Sequence, residues 1–500
     1  MFFCKNRADP SAGRSNLNFV AHALLPVPTG FAVNLLAQKS VCATVCQNEM
    51  VTDSITTFIA TAIWHGSLEQ PEAILAAHPE IAGNIHVAAI LGHDATVRRL
   101  LAEDPQNAFR KAPPYDGAPL VYLCLSNYLR LDPARSEAFM RAATALLDAG
   151  ADPNAGFWSK GEHREFESAL YGAAGVAHHA GLTRLLLERG ADPNDSETFY
   201  HTPETYDNSA MKVLVESGKM NPDNLNGMLL RKADWHDYEG IRYLLEHGAD
   251  PNAMTLWGYT ALHQALRRDN ALGNIELMLE HGADPAIQTA AETRAAFMPQ
   301  LAMNRSRSGY VIAARRGRRD VLEATERRGF AMEFNGVDRL IAACSRADEH
   351  IVQTIAAGEP QLVEELLAQG GSVLAEFAGN NNMDGVRLLL QLGVKVTAPY
   401  DGDPYFGIPS NSTALHVAAW KAWHKTVKFL IEHGAPVNVR DGNGATPLQL
   451  AVRACVDSYW MNRRTPESVE ALLRAGAATK GITLPTGYAE IDALLESGAA

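Results

Sequence analysis

Short apolar stretches that end in glycine recur along much of the chain. The four clearest copies read LLDAGADPNA (146–155), LLLERGADPND (185–195), LLEHGADPNA (244–253) and LMLEHGADPAI (277–287). In each copy, leucines followed by a polar pair predict the last turns of an amphipathic helix, and the glycine supplies the left-handed backbone that ends it. The Asp-Pro pair that follows predicts an extended backbone leading into a loop or a hairpin.

Weaker copies of this phrase continue the series beyond the four clear ones. The marker glycines of all copies are Gly150, Gly190, Gly218, Gly248, Gly282, Gly329, Gly370, Gly393, Gly434 and Gly476. Their intervals fit a repeating unit that stacks on its neighbours, so the chain is predicted to form a solenoid rather than several separate globular domains.

A second phrase precedes a shorter helix. It reads GYTALHQAL (258–266), NSTALHVAA (411–419) and GATPLQLAV (444–452). Its threonines (Thr260, Thr413 and Thr446) are suitable N-terminal caps, because a side-chain oxygen at this position accepts an otherwise unpaired helix N–H. The predicted unit is a turn, a short first helix, a longer second helix and an outward loop.

Together the two phrases resemble the ankyrin repeat, whose consensus joins DxxGxTPLHxAA to a second helix ending in LLxxGAD. The best local match is DGNGATPL (441–448), and the best complete repeats span 255–288 and 411–443. The resemblance covers about residues 52–500. It implies an all-α fold, an α-solenoid of stacked ankyrin-type helix-turn-helix units with short β-hairpin or loop fingers.

Several histidines have structural interpretations. The resemblance implies that His263 and His416, in the TALH phrase, hydrogen-bond across neighbouring turns. His247, His281 and His433 precede marker glycines, where a polar or cationic side chain suits the negative end of a helix dipole.

Departures from the repeat predict the domain organisation. Insertions enlarge the units at several places, notably at 398–411 and 453–468. We expect four regions: a flexible N-terminal extension at 1–51, an N-terminal repeat array at 52–290, an irregular arginine-rich repeat region with a bend at 291–345, and a C-terminal repeat array with a terminal capping helix at 346–500.

Composition and charge argue against two kinds of partner and favour one cellular compartment. The chain has 57 acidic and 44 basic residues, a net charge of -13, which argues against a nucleic-acid partner. No CxxC pair occurs among six cysteines, which favours a reducing compartment and cytoplasmic localisation. No uncharged apolar run after the N-terminal segment reaches the roughly 20 residues of a membrane helix, so no membrane partner is expected.

The N-terminal segment leaves open the alternative that the protein is secreted. Residues 15–38 carry no charge and follow Lys5, Arg7 and Arg14, which superficially resembles a signal peptide. Pro26 and Pro28 interrupt the segment, and no clear cleavage site follows it. A poorly ordered extension is therefore favoured, and secretion is the alternative localisation.

No enzyme signature is present. The sequence lacks GxSxG, a P-loop, HExxH and a kinase glycine loop. His178 and His179 are adjacent, and neighbouring helix positions point about 100° apart, so we expect packing rather than metal binding. No catalytic, cofactor-binding or metal-binding residue is predicted. An enzyme site within 288–345 is a further alternative.

The candidate partner-binding residues are aromatic, because aromatic side chains bury much area at small entropic cost. They lie in the predicted fingers and in the insertions, and for the insertions packing against the solenoid is an equal alternative. The candidates are Trp158, Tyr200, Trp257, Tyr259, Tyr405, Phe406, Trp423, Tyr459 and Trp460.

One arginine-rich segment is locally basic, although the chain as a whole has a negative net charge. Arg315, Arg316, Arg318 and Arg319 can bind carboxylates through their forked donors, so an acidic partner peptide is one interpretation. A solvated helix face neutralised by acids on neighbouring units is the favoured interpretation.

These observations predict a monomeric, non-enzymatic protein–protein interaction scaffold without a cofactor. It would bind an unknown partner protein through the finger and first-helix surface of the solenoid. The alternative is a secreted effector or toxin-associated protein that uses the repeats to capture a target.

Overall fold

A computed structural model describes residues 52–160, 164–290 and 306–497. They divide after Ala283 into an N-terminal and a C-terminal unit. The predicted N-terminal extension and the first part of the predicted arginine-rich region, 291–305, lie outside the described residues. The predicted domain boundaries and the bend stay predictions.

The N-terminal unit consists of short helices and one hairpin. Its helices are α1 (52–62), α2 (Glu69–Ala77), α3 (Ile85–Ile90), α4 (Asp94–Glu103), α5 (Pro119–Cys124), α6 (Asn127–Leu131), α7 (Ser136–Asp148), α8 (Ala169–Tyr171), α9 (Ala180–Glu188), α10 (Thr198–His201), α11 (Ser209–Glu216), α12 (Pro222–Asp234), α13 (Tyr238–Glu246), α14 (Ala261–Arg267) and α15 (Leu272–Glu280). Its antiparallel strands are β1 (Gly156–Trp158) and β2 (Phe166–Ser168). Further turns of 3-10 helix span Pro79–Gly83, Pro105–Ala108 and Pro133–Arg135, and a π-helical turn spans Gly172–Val176.

The C-terminal unit is helical apart from its loops. Its helices are α16 (Gly309–Arg315), α17 (Arg319–Arg327), α18 (Val337–Ser345), α19 (Glu349–Gly358), α20 (Pro360–Ala368), α21 (Gly370–Gly379), α22 (Met383–Gln391), α23 (Ala414–Trp420), α24 (His424–Glu432), α25 (Pro447–Val456), α26 (Glu467–Arg474) and α27 (Ala489–Ser497), with a 3-10 turn at Met461–Arg463. Residues 309–345 of the predicted irregular repeat region form the regular helices α16, α17 and α18.

Within each unit the helices form two layers. In the N-terminal unit the first helices α3, α5, α8, α10, α12 and α14 pack in succession, and second helices such as α4, α7 and α9 pack beside them. In the C-terminal unit α21, α23 and α25 form the same layer of first helices. The core between the layers is apolar, with Phe139 and Phe377 fully buried. The predicted all-α solenoid with short fingers is confirmed.

The glycine-marked helix ends form as predicted. At the end of α13, Gly248 has φ 93°, and the N–H of Ala249 donates to the carbonyl of Leu244 over 3.0 Å. This bond satisfies a carbonyl that the helix itself leaves unpaired. His247 contributes too, because its Nδ1 lies 2.7 Å from the carbonyl of Tyr243.

The marker glycine at 370 is a wrong assignment. Gly370 begins α21 instead of ending α20, which stops at Ala368. Close packing accounts for the glycine pair: a Cβ on Gly370 would lie 2.9 Å from Val394 Cγ1, and one on Gly371 would lie 2.0 Å from the carbonyl oxygen of Pro399. The glycine pair therefore lets the finger backbone approach the first turn of a helix.

The threonine caps and the histidines of the second phrase act together. Thr260 and His263 form a capping box at the start of α14, and Thr413 and His416 form another at α23. His416 also reaches the next unit, since its Nε2 lies 3.2 Å from the carbonyl of Ala445. This is the bond between neighbouring turns that the resemblance implies.

Candidate partner-binding surface

The β1–β2 hairpin presents one large aromatic side chain to solvent. Side chains alternate between the two faces of a strand. Phe157 is buried, and its ring centroid lies 5.1 Å from that of Tyr115 and 5.5 Å from that of Trp64. Trp158 points the other way, contacts Phe166 and is 56% exposed. This finger therefore offers Trp158 as a contact residue.

A second aromatic group joins a finger to a first helix. Trp257, from the loop before α14, has its ring centroid 5.6 Å from that of Tyr200 on α10. The guanidinium of Arg231 lies 4.1 Å from the centre of the Tyr200 ring. Both aromatic side chains are half-buried, so each keeps a surface that a partner can reach.

Tyr259 does not belong to that accessible surface. It is only 8% exposed, and the guanidinium of Arg267 lies 4.2 Å from the centre of its ring. Its predicted role as a partner-binding residue stays a prediction, with little of the ring accessible to a partner.

A row of ion pairs crosses the first-helix layer beside Tyr200. The row alternates in sign and runs through Glu197, His201, Glu204, Arg231, Asp234 and Arg268. Glu197, Arg231 and Asp234 are buried, and the other three residues are half-buried. Each charge meets an opposite one, so the row is a structural network that joins α10, α12 and α14.

His201 is the titratable centre of this row. Its Nε2 lies 3.2 Å from an oxygen of Glu197 and its Nδ1 lies 3.1 Å from an oxygen of Glu204. Burial acts to lower the pKa of His201, but these two hydrogen bonds outweigh it and raise that pKa to about 9. The ring is therefore a cation at neutral pH and donates to both carboxylates.

Glu167 differs from the carboxylates of the row. It is 7% exposed, and its Oε2 has no hydrogen-bond partner among the described residues. Burial, together with the negative charges of Glu197 and Glu165, raises the pKa of Glu167 to about 7. Our sequence reasoning missed this residue. The signal was Ser168-Ala169-Leu170-Tyr171, a copy of the TALH phrase that places Glu167 just before a helix cap.

Two serine–histidine contacts resemble parts of a hydrolase site. Ser136 Oγ lies 2.6 Å from His179 Nε2, and Ser468 Oγ lies 2.6 Å from His424 Nδ1. His179 Nδ1 accepts the N–H of Leu182, so its Nε2 carries the proton and donates to the serine, the reverse of a general base. Ser468 is 2% exposed and out of reach of a substrate. Both contacts join neighbouring helices.

The histidine pair at 178–179 has a packing role. His179 caps α9, as described, and burial lowers the pKa of His178 to about 4. Within the described ranges, no group of three His, Cys, Asp or Glu side chains is arranged to hold a metal ion.

In the C-terminal unit the two insertions meet in an aromatic cluster, which we call the insert cluster: Tyr405, Phe406, Trp420, Tyr459 and Trp460. Phe406, from the finger at 398–411, has its ring centroid 5.7 Å from that of Trp460, from the junction at 453–468. Trp420 on α23 donates its indole N–H to the carbonyl of Phe406 over 2.7 Å.

Burial divides the insert cluster into two kinds of residue. Phe406 and Trp460 are 8% and 5% exposed and pack the insertions together. Lys421 covers them, with Nζ 4.2 Å from the centre of the Phe406 ring. Tyr405 and Tyr459 are half-buried. Packing thus describes the first two residues, and a contact role stays a prediction for all four.

Trp423 lies beside the insert cluster. Its indole N–H donates to the carbonyl of Gly379 over 2.7 Å, and the guanidinium of Arg463 lies 3.8 Å from the centre of one of its rings. It is half-buried, like Tyr405.

The predicted acidic-partner patch is neutralised within the unit. Arg315 pairs with Asp338 at 2.5 Å, and Arg316 pairs with Glu376 at 3.2 Å. Arg318 pairs with Asp320 at 2.8 Å, and Arg319 with Glu323 at 2.7 Å. Carboxylates of other helices pair with Arg315 and Arg316, and carboxylates of α17 itself pair with Arg318 and Arg319, which supports the interpretation of a neutralised helix face.

Comparison with known proteins gives two family matches. Residues 398–480 match the family described as ankyrin repeats (3 copies), and residues 229–279 match the one described as ankyrin repeats (many copies). The first match includes the insert cluster, and the second includes α13, α14 and the finger with Trp257.

Similar proteins also carry the ankyrin name. A Rickettsia bellii (strain RML369-C) protein named as an ankyrin repeat protein is 31% identical over 114 residues, 20% of this chain and 44% of that protein. The BTB/POZ domain and ankyrin repeat-containing protein NBCL of Lotus japonicus is 30% identical over 119 residues, 24% of this chain and 22% of that protein. The matches thus span less than half of either relative.

Among solved structures, the ankyrin repeat domain of human ASB11 matches with 20% identity and a TM-score of 0.22, covering 50% of this chain and 98% of that one. None of the helices in the described ranges is long and apolar enough to span a bilayer.

Proposed function

Because the chain is an ankyrin repeat protein, we propose that it is a non-enzymatic scaffold that binds a partner protein through its fingers and first helices. Ankyrin repeats are protein–protein interaction modules and are generally non-enzymatic. A stacked array buries apolar faces between neighbours and leaves a long continuous surface for a partner.

The insert cluster carries this proposal. Stacking of repeats does not require the insertions at 398–411 and 453–468, yet both fold onto the same first helix, α23. They keep the aromatic rings of Tyr405, Trp420 and Tyr459 partly exposed over a rigid base. Rigid aromatic side chains with a buried support are typical of binding hot spots.

The N-terminal unit adds a second contact area. Trp158, Tyr200 and Trp257 lie on its fingers and first helices with accessible rings. Several spaced contact areas suit a protein partner, since a stable interface needs about 800 Å² on each side.

A capture experiment tests the proposal. Full-length protein and a Tyr405→Ala/Tyr459→Ala variant are used to capture partners from native lysate, which are identified by mass spectrometry. We expect the variant to lose a specific protein that the parent retains, while its helical circular dichroism stays unchanged. Phe429→Ala is the matched control, because Phe429 is a half-buried aromatic residue on a second helix. Equal capture by all three proteins contradicts the proposal.

We propose further that the protein acts as a monomer in the cytoplasm. The support for the cytoplasm is that Cys124, Cys344 and Cys455 are buried free thiols, and burial raises the pKa of Cys344 to about 12. Thiols in this state are unreactive packing residues. The alternative of a secreted effector depends on residues 1–51, and fractionation of cells that express the full chain distinguishes the two localisations.

A further inference from the structure

A groove of about 440 Å³ runs along α25 in the C-terminal unit. One wall is formed by this helix, where Val456 lies one turn after both Val452 and the adjacent Arg453. The opposite wall is the segment 481–486, which follows the last marker glycine and includes Ile482. The groove therefore combines an apolar base with one cationic side chain.

Arg453 lies between this groove and the insert cluster. Its guanidinium carbon is 5.1 Å from the centre of a Trp420 ring, and its side chain is exposed. Neither a hydrogen bond nor an ion pair holds its donors within the described part of the chain. A guanidinium stacked on a ring keeps its N–H edge free for a planar acceptor such as a carboxylate.

Two carboxylates near the groove make hydrogen bonds within the protein. Asp441 accepts the backbone N–H groups of Asn443 and Ala445 at 2.9 and 2.8 Å through one oxygen, while its other oxygen is buried without a partner among the described residues. Asp492 accepts the N–H of Thr486 at 2.8 Å. Neither carboxylate pairs with Arg453, whose exposed guanidinium therefore calls for an anionic ligand.

Two further cations increase the positive potential at this site. Arg440 donates to the carbonyl of Gly444, which lines the groove, and its side chain is exposed. Lys480 adjoins Gly481 on the opposite wall and is exposed as well. Exposed cations of this kind steer an acidic ligand more than they bind it.

We propose that the groove along α25 binds an acidic peptide segment of a partner protein, whose Asp or Glu carboxylate pairs with Arg453 while a neighbouring aliphatic side chain packs on Val452, Val456 and Ile482. The identification of the ligand as a protein rests on the proposed function. The site differs from the arginine patch that the sequence predicts at 315–319, whose cations are neutralised.

Peptide selection on the full-length chain tests this site. The probe is a library of random dodecapeptides displayed on phage. We expect the enriched peptides to share an Asp or Glu next to an aliphatic residue. Arg453→Gln should weaken a selected peptide at least about tenfold, because the bidentate ion pair is lost. Arg474→Gln, an exposed arginine on α26, is the matched control and should change affinity less than about twofold.

A second variant tests the groove without removing the charge of Arg453. Thr483→Trp places a large ring at an exposed position on the groove wall, and we expect it to abolish binding of the same peptide while circular dichroism is retained. Enriched peptides without an acidic position overturn the proposal, as do unchanged affinity in both variants or an absence of enrichment. The scaffold function is tested separately: a partner that requires Tyr405 and Tyr459 but tolerates both groove variants supports that function and overturns this site.

Discussion

The side-chain carbonyl of Asn154 accepts a hydrogen bond over 2.8 Å from the backbone N–H of Asp192, in the corresponding loop of the next unit. The side-chain amide of Asn154 also donates to the carbonyl of Gly190 at 3.1 Å. The same pair of bonds occurs in the C-terminal unit, where Asn438 contacts Gly476 and Ala478. The asparagine of the glycine-marked phrase therefore joins consecutive loops, a role that its position in the sequence does not reveal.

Replacing this asparagine should loosen the stack. We expect Asn154→Ala to lower the free energy of unfolding by about 1–2 kcal/mol, because two hydrogen bonds are lost and the carbonyl of Gly190 loses a donor. Urea unfolding followed by circular dichroism measures the change. Asn462→Ala, at an exposed position, is the control and should leave stability within about 0.5 kcal/mol. Equal effects of the two substitutions would show that the bonds between loops contribute nothing.

The pH dependence of stability should report on Glu167. Its pKa is about 7 in the folded protein and 4.5 ordinarily, so the folded state holds a proton that the unfolded state has released between these values. The free energy of unfolding should therefore fall as the pH rises from about 4.5 to about 7, by roughly 2–3 kcal/mol. The groups that face this carboxyl are Glu165, Asp195, Glu197 and His201.

Glu167→Gln separates this contribution from those of the other groups. We expect the variant to lose the decline and to be more stable than the parent protein at about pH 8. Unfolding in urea across the range from about pH 5 to about pH 8 measures the slope. Glu165→Gln removes an exposed charge from the same hairpin and should keep the decline. His201 adds a separate decline at higher pH: its pKa is raised from 6.5 to about 9, so its stabilising contribution is fully present below pH 6.5 and is lost as the pH rises through 9. The slope below pH 6.5 is therefore the part that Glu167→Gln should remove.

The buried ion-pair row should be sensitive to the loss of one member. Arg231 lies between Glu204 and Asp234, and its side chain is 7% exposed. We expect Arg231→Met to destabilise the protein by about 3–5 kcal/mol, because it removes the buried cation shared by Glu204 and Asp234 and leaves them with His201 and Arg268 as cationic partners. Arg242→Met is the control, since Arg242 and Glu239 form an exposed pair on α13. A thermal midpoint that both substitutions leave unchanged would contradict this role.

Buried and exposed aromatic residues should respond differently to truncation. Trp460→Ala removes a 5% exposed ring from the insert cluster and should lower the free energy of unfolding by about 3–5 kcal/mol. Trp158→Ala should change it by less than about 0.5 kcal/mol, since Trp158 is 56% exposed. Thermal unfolding compares the two variants. If Trp158→Ala were the more damaging substitution, the hairpin finger would be part of the core and not a contact surface.

Much of the local structure could be predicted from the sequence. Leucine spacing, the cap at Thr260 and the marker glycine at 248 locate helices and their ends, because these features act within a few residues of one another. The same reasoning assigned Gly370 wrongly. A Cβ on Gly370 would crowd Val394, and one on its neighbour Gly371 would crowd the backbone of a distant finger at Pro399, and no local pattern records these contacts.

The candidate surface was harder to predict. Composition and position drew attention to the aromatic residues of the fingers and insertions, but they do not tell which rings face outward. Trp158 and Tyr259 both occur near fingers, and one is exposed while the other is buried. The arginine segment shows the same limit, since the carboxylates that pair with Arg315 and Arg316 come from other helices.

By itself, the sequence determined the repeat, its helix ends and therefore the solenoid architecture, since each depends on interactions over a few residues. Only the tertiary structure decided which side chains remain available to a partner. Burial and ion pairing depend on neighbours far apart in the chain: Phe406 covers Trp460, Asp338 neutralises Arg315, and the stacking of Arg453 on Trp420 leaves its charge open to solvent.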